Sequence, residues 1–127
     1  MIIWESQLHE LRDRFGGVDA QALPNGSMLV TVHGLTLPHG WNKPKTSIRF
    51  LVPPAYPYAA LDCFWADADL RLGSGGVPQN ANISNPIPDV GAPGLWFSWH
   101  LLQPWNANRD TLSSWMNTII ERFRRLQ

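Results

Sequence analysis

Apolar residues near the start of the chain fall at Trp4, Leu8, Leu11 and Phe15, at intervals of four, three and four. That spacing draws one stripe along a helix and leaves Glu5, Glu10, Arg12 and Arg14 on its other faces. It predicts a helix over residues 2–15, stopped by Gly16-Gly17. From Val18 the period changes to two. Asn25-Gly26 is a turn signal between two short extended stretches. Beyond it Met28, Val30 and Val32 face one way, and Leu29, Thr31 and His33 the other. In "TSIRFLV", Ile48, Phe50 and Val52 take one face while Arg49 and Leu51 take the other. The three prolines of the "VPPAYPYA" segment remove donors and fix φ, so it is no sheet interior. "LDCFWADADL" then resumes as a fourth strand.

Residues 71–107 show no period. They are rich in glycine, proline and asparagine, and loops of this length are functional or disordered. Disordered segments lack aromatic residues, whereas Trp96, Phe97, Trp99 and Trp105 anchor this one, so an ordered functional loop is expected. Helical spacing returns at Leu112, Trp115, Ile119, Phe123 and Leu126, predicting a second helix of about four turns. Asn108 or Asp110 is its expected cap, and Arg122, Arg124 and Arg125 lie at the end where the helix dipole favours cations. The expected fold class is α+β: an N-terminal helix, a four-stranded antiparallel meander, a long ordered loop and a C-terminal helix. Residues 1–127 form one domain in this reading.

Composition narrows the functional classes. Ten basic residues balance ten acidic ones, so no positive field suited to nucleic acid arises. Apolar residues make up 44% of the chain and charged ones 16%, which fits a packed core, and no apolar run reaches the length of a membrane span. The N-terminus carries early acids without signal-peptide order, and Cys63 is the only cysteine, so a reducing, cytoplasmic location is expected. His9, His33, His39 and His100 are scattered with no paired spacing, so neither a metal nor any other cofactor is expected. "GSGG" at 73–76 lacks the Lys-Ser/Thr of a phosphate loop and reads as a turn.

The order of these parts resembles the ubiquitin-conjugating enzyme superfamily. Pro53, Tyr56 and Pro57 in "VPPAYPYAALDCFW" match its Tyr-Pro segment after the third strand, and "PWNANRDTLSSWMNTIIERF" matches its tryptophan turn into a helix. The likeness is greatest to the compact bacterial branch found beside ubiquitin-like proteins and activating-enzyme homologues. It implies that the chain accepts a ubiquitin-like protein from an activating enzyme and passes it to a target. Counting back from Trp105 to the family's cysteine position, however, lands on Phe97, next to Ser98. The His-Pro-Asn tripeptide before that position is also missing, and its nearest echoes are Asn80, Asn82 and Asn85.

A serine is a weak nucleophile without an adjacent base. His100 stands two residues from Ser98, on the same side if the segment is extended. The expected site is therefore Ser98 as acyl acceptor and His100 as general base. Asp89 or Asp110 would orient the imidazole, and Asn85, a neighbouring amide or the backbone near Gly91 and Gly94 would stabilise the oxyanion. Tyr56, Pro57, Trp96 and Trp99 are the expected partner-binding residues. Cys63, flanked by Asp62 with no cation beside it, reads as a small hydrophobe packed in the sheet. Two other functions fit the residues: a non-catalytic binder of a ubiquitin-like protein, using the sheet face or the Tyr56-Pro57-Tyr58 edge, and a glycan-binding module stacking sugars on Trp96, Trp99 and Trp105.

Overall fold

The computed structural model describes residues 4–87, 91–101 and 103–127. Helix α1 (Glu5–Phe15) is followed by β1 (Val18–Ala22), β2 (Met28–Thr36), β3 (Lys45–Val52), β4 (Phe64–Ala66), β5 (Ala81–Asn82), β6 (Leu95–Phe97) and helix α2 (Leu112–Phe123). All strand pairs are antiparallel, and their order across the sheet is β1-β2-β3-β4-β6-β5. The expected four-stranded meander is thus the first part of a six-stranded sheet. The region expected as a loop supplies the last two strands. Strands of two and three residues are too short to show a period, and Leu95-Trp96-Phe97 is a continuous apolar run because both sheet faces there are covered.

Both helices lie on one face. Leu8 and Leu11 of α1 and Trp115, Ile119 and Phe123 of α2 form one core with Val30, Val32, Ile48, Phe50, Phe64 and Phe97. Val30, Val32, Ile48 and Phe50 are the alternate positions read from the sequence, so the period-two pattern in β2 and β3 did select the buried face. On the opposite face Leu23, Leu29, Trp65 and Ile87 make a smaller cluster joined by Leu51 and Trp96. Asn25 shapes the first hairpin turn by accepting from the Ser27 N–H at 2.9 Å, and Gly26 takes a φ of 90° that other residues resist.

The Tyr-Pro segment and the tryptophan before α2 meet. Trp105 donates its indole N–H to the Pro57 carbonyl at 2.8 Å, with its ring centroid 5.7 Å from that of Tyr56. The Tyr56 hydroxyl donates to Gln7 Oε1, which also accepts from the Leu112 N–H at 2.9 Å. One amide oxygen therefore ties α1, the Tyr-Pro segment and the start of α2. Burial pushes the Tyr56 phenol above its ordinary range, so it stays a donor at any physiological pH.

The cap of α2 is Thr111, not Asn108 or Asp110. Thr111 accepts from the Ser114 N–H at 3.2 Å and donates its own N–H to Ser114 Oγ at 2.8 Å, a reciprocal capping box. Asp110 instead closes the preceding turn by accepting from the Asn106 N–H at 2.8 Å.

Trp115 is fully buried, but its indole N–H has no acceptor among the described residues. Urea unfolding should show Trp115→Ala losing about 3–5 kcal/mol. Trp115→Phe should lose much less, because it also removes an unsatisfied donor. Thr111→Ala should cost about 1 kcal/mol through the cap.

Candidate active site

Strand β6 sits between β4 and β5, with Phe97 opposite both Phe64 and Ala81. The Phe97 ring stacks on Phe64 at 4.7 Å between centroids, and the edge of Phe123 closes on both. Leu95 and Phe97 therefore point into the helix-side core, and Trp96 points to the opposite face. Gly94 precedes them because a Cβ there would come within 3.1 Å of the Trp65 ring.

The alternation continues past the end of the strand. Trp99 and Leu101 pack against the helix-side core, and Ser98 and His100 are exposed between them. His100 opens onto a hollow of about 340 Å³ together with Leu61, Leu101 and Trp105.

The chain leaves β6 between two strained neighbours. The Ser98 N–H donates to the Asn80 carbonyl at 2.8 Å, and the Cys63 N–H donates to the Trp99 carbonyl at 3.0 Å. Asn80 and Cys63 have φ of 62° and 51°, the only non-glycine positive values among the described residues. Such backbone costs of order 1 kcal/mol at each residue, and it clusters where function constrains the chain. No sequence signal marks Cys63 for this conformation. Asn80 is a residue type that tolerates it.

Cys63 therefore lies just before β4 rather than inside it. It is half-buried and set beside the exit of β6. Burial pushes its thiol up, a hydrogen bond from the Trp96 side chain pulls it back in part, and Asp62 pushes it up again.

The other expected site residues are spread around this exit. Ser98 and His100 are both exposed, but no hydrogen bond joins them among the described residues. Asn85 donates its amide to Asn82 Oδ1 at 2.8 Å, and its carbonyl accepts from the Trp65 indole at 2.8 Å, so it braces the turn beside β5. Asp110 is buried and paired with Arg109 at 3.3 Å rather than with His100. Asp89 lies outside the described residues. The Gly91 N–H is already donated to the Ile87 carbonyl at 3.0 Å.

Of the expected partner-binding residues, Tyr56 has its ring inside the core, and the exposed ring of that segment is Tyr58, 82% exposed. Pro57, Trp96 and Trp99 are half-buried. Trp96 packs on the face opposite Trp99 and Trp105, so the three tryptophans make no shared stacking platform.

The family model for prokaryotic E2 family E matches residues 14–125. The chain belongs to that family. No curated protein and no solved structure is significantly similar to it. As a member of prokaryotic E2 family E, it has an E2-like role in conjugation, a transferase role. Ubiquitin-like proteins and activating enzymes are, in general, the partners of such domains. The match spans both the Tyr-Pro segment and the Trp105 turn that the sequence resemblance rested on. Among the described residues, no helix is long and apolar enough to cross a membrane, and no group of three or more His, Cys, Asp or Glu side chains could hold a metal.

The raised thiol gives a direct test at this site. A thiolate is the reacting species, so raising its pKa lowers its fraction at any given pH. Native Cys63 should alkylate with iodoacetamide several-fold more slowly at pH 8 than in the urea-unfolded chain. Its rate profile should be displaced to higher pH.

Proposed function

We propose that this prokaryotic E2 family E protein carries a ubiquitin-like protein as an oxyester on Ser98, with His100 as the general base. The observation that carries the reading is the exit of β6: Phe97 turns into the core, and Ser98 and His100 are both exposed just beyond it. The only cysteine, by contrast, is half-buried with its thiol pushed up, which disfavours the thiolate that a thioester carrier needs.

In the proposed step, Ser98 Oγ attacks the carbonyl carbon that the activating enzyme holds as a thioester. His100 takes the hydroxyl proton, the acyl–oxygen bond forms, the acyl–sulfur bond breaks, and the sulfur leaves as a thiolate. The second step is attack by a target amine on the oxyester. The imidazolium returns its proton to Ser98 Oγ as the amide forms, and the amine's proton passes to solvent. The exposure of His100 allows its ring to swing toward Oγ, since geometry of this kind tightens on binding. The hollow of about 340 Å³ at His100, walled by Leu61 and Trp105, offers room for an incoming chain in this reading.

A non-catalytic binder of a ubiquitin-like protein is the second reading, favoured by one observation: no hydrogen bond joins Ser98 to His100 among the described residues. One reconstitution separates the two. With activating enzyme, ubiquitin-like protein and ATP, the carrier reading expects an adduct that survives thiol reductant and is cleaved by hydroxylamine. The adduct should vanish in Ser98→Ala, persist in Cys63→Ser, and form about 100-fold more slowly in His100→Ala. An adduct that survives Ser98→Ala removes the serine. Partner binding with no adduct in the unmodified chain establishes the binder.

A further inference from the structure

We infer that Arg122 of α2 is a positioning residue for Ser98, clamping the exit of β6 from within the core; its part in catalysis rests on Ser98 as the acyl acceptor. Arg122 is 1% exposed and shares the buried face of α2 with Trp115 and Ile119, where the helical stripe calls for an apolar side chain.

Its contacts converge on the neighbours of Ser98. The guanidinium carbon lies 5.2 Å from the centre of the Phe97 ring and 5.3 Å from that of Trp99, the two residues that flank Ser98 in the chain. Nη2 donates to the Gln79 carbonyl at 2.7 Å, and the next residue, Asn80, accepts the Ser98 N–H at 2.8 Å. Nη2 also donates to the Gln127 main chain at 2.8 Å, and Nη1 to the Arg125 carbonyl at 3.1 Å, which ties the group to the turn after α2. Residues 79–80, 97–99 and 125–127 thus meet at one side chain.

Packing does not require a cation here. Taking a guanidinium out of water is costly, and apolar side chains of similar volume are often neutral or stabilising in place of buried charge. Burial, and then the charge of Arg125, push the proton affinity of Arg122 down. What an apolar residue would lack is direction. A guanidinium offers donors in a fixed fork and a cation for aromatic faces. The rings hold Phe97 and Trp99 on the helix side, and the fork holds Gln79 and with it the strained Asn80. Arg122 therefore acts on Ser98 through its neighbours rather than on the reacting atoms. Placement of this kind matters because a shift of about 1 Å can cost about 100-fold in rate.

Arg122→Met fills the place without donors or charge, and urea unfolding of the full chain should change little. By amide hydrogen exchange, the Ser98 and Cys63 N–H groups, which bond to Asn80 and Trp99, should exchange about tenfold faster or more, while those of β2 and β3 keep their rates. With activating enzyme, ubiquitin-like protein and ATP, adduct formation at saturating activating enzyme should slow about tenfold or more, with the half-saturating concentration unchanged. Arg122→Lys keeps the charge and loses the fork, so it should show the same changes at reduced size, and it serves if the methionine variant does not fold. Unchanged Ser98 exchange in a folded variant, exchange that rises equally across the sheet, or adduct formation at the unmodified rate would overturn the assignment. Absence of any adduct from the unmodified chain removes the serine reading instead, and the exchange rates alone then decide the clamp.

Discussion

The stacking of Phe97 on Phe64 sets the register from which the rest of the candidate site follows. The two rings lie 4.7 Å apart and nearly parallel, at 8°, with Phe123 of α2 edge-on to both. They are directly opposite in the β4–β6 ladder, so the contact pins β6 against its neighbour and against the helix layer together. Side chains on a strand alternate, and a slip of one residue would exchange the faces of everything beyond it. Trp96 would be driven under α2, and Ser98 and His100 would turn inward. A three-residue strand has few hydrogen bonds with which to resist such a slip, so aromatic packing supplies much of the resistance.

That fixed strand is followed by backbone under local strain. Cys63 and Asn80, on either side of the exit, both adopt left-handed conformations while bonding to the segment at Ser98 and Trp99. A residue with a Cβ takes such a conformation only where its surroundings compel it. Their chain neighbours Phe64 and Ala81 are both paired with Phe97, and that pairing provides the compulsion. The exposed pair Ser98 and His100 is therefore held on a rigid base although it lies past the end of regular structure.

The sequence made legible whatever has enough residues to show a period. Both helices, β2, β3 and the Asn25-Gly26 turn were readable for that reason, and so was the outward side of Ser98 and His100, because alternation continues beyond β6. The two short strands were hidden. Leu95, Trp96 and Phe97 are all apolar because Trp96 meets Trp65 and Ile87 on the second face, so no polar residue marks the alternation. The cap of α2 was misread as Asn108 or Asp110 for a chemical reason: Asp110 is a good cap type, but its carboxylate accepts from the Asn106 N–H four residues earlier, which leaves the cap to Thr111. Tyr56 and Tyr58 posed the same difficulty. The buried ring is the one that reaches Gln7, a residue 49 positions away that no local pattern indicates.

The family match and the candidate chemistry rest on different parts of the molecule. Pro57 and Trp105 are 48 positions apart, yet they share one hydrogen bond and a ring contact with Tyr56 between them. Their order in this sequence is the trace of a single packing contact that docks the Tyr-Pro segment against the turn into α2. That contact builds the scaffold and touches neither Ser98 nor Cys63. Family membership over residues 14–125 therefore speaks for the E2-like scaffold and its role. The nucleophile depends instead on which side chain the exit of β6 leaves accessible and able to lose a proton. There Phe97 is spent on the core and Cys63 is half-buried with its thiol raised, which is the basis for proposing Ser98, two residues from His100, as the nucleophile.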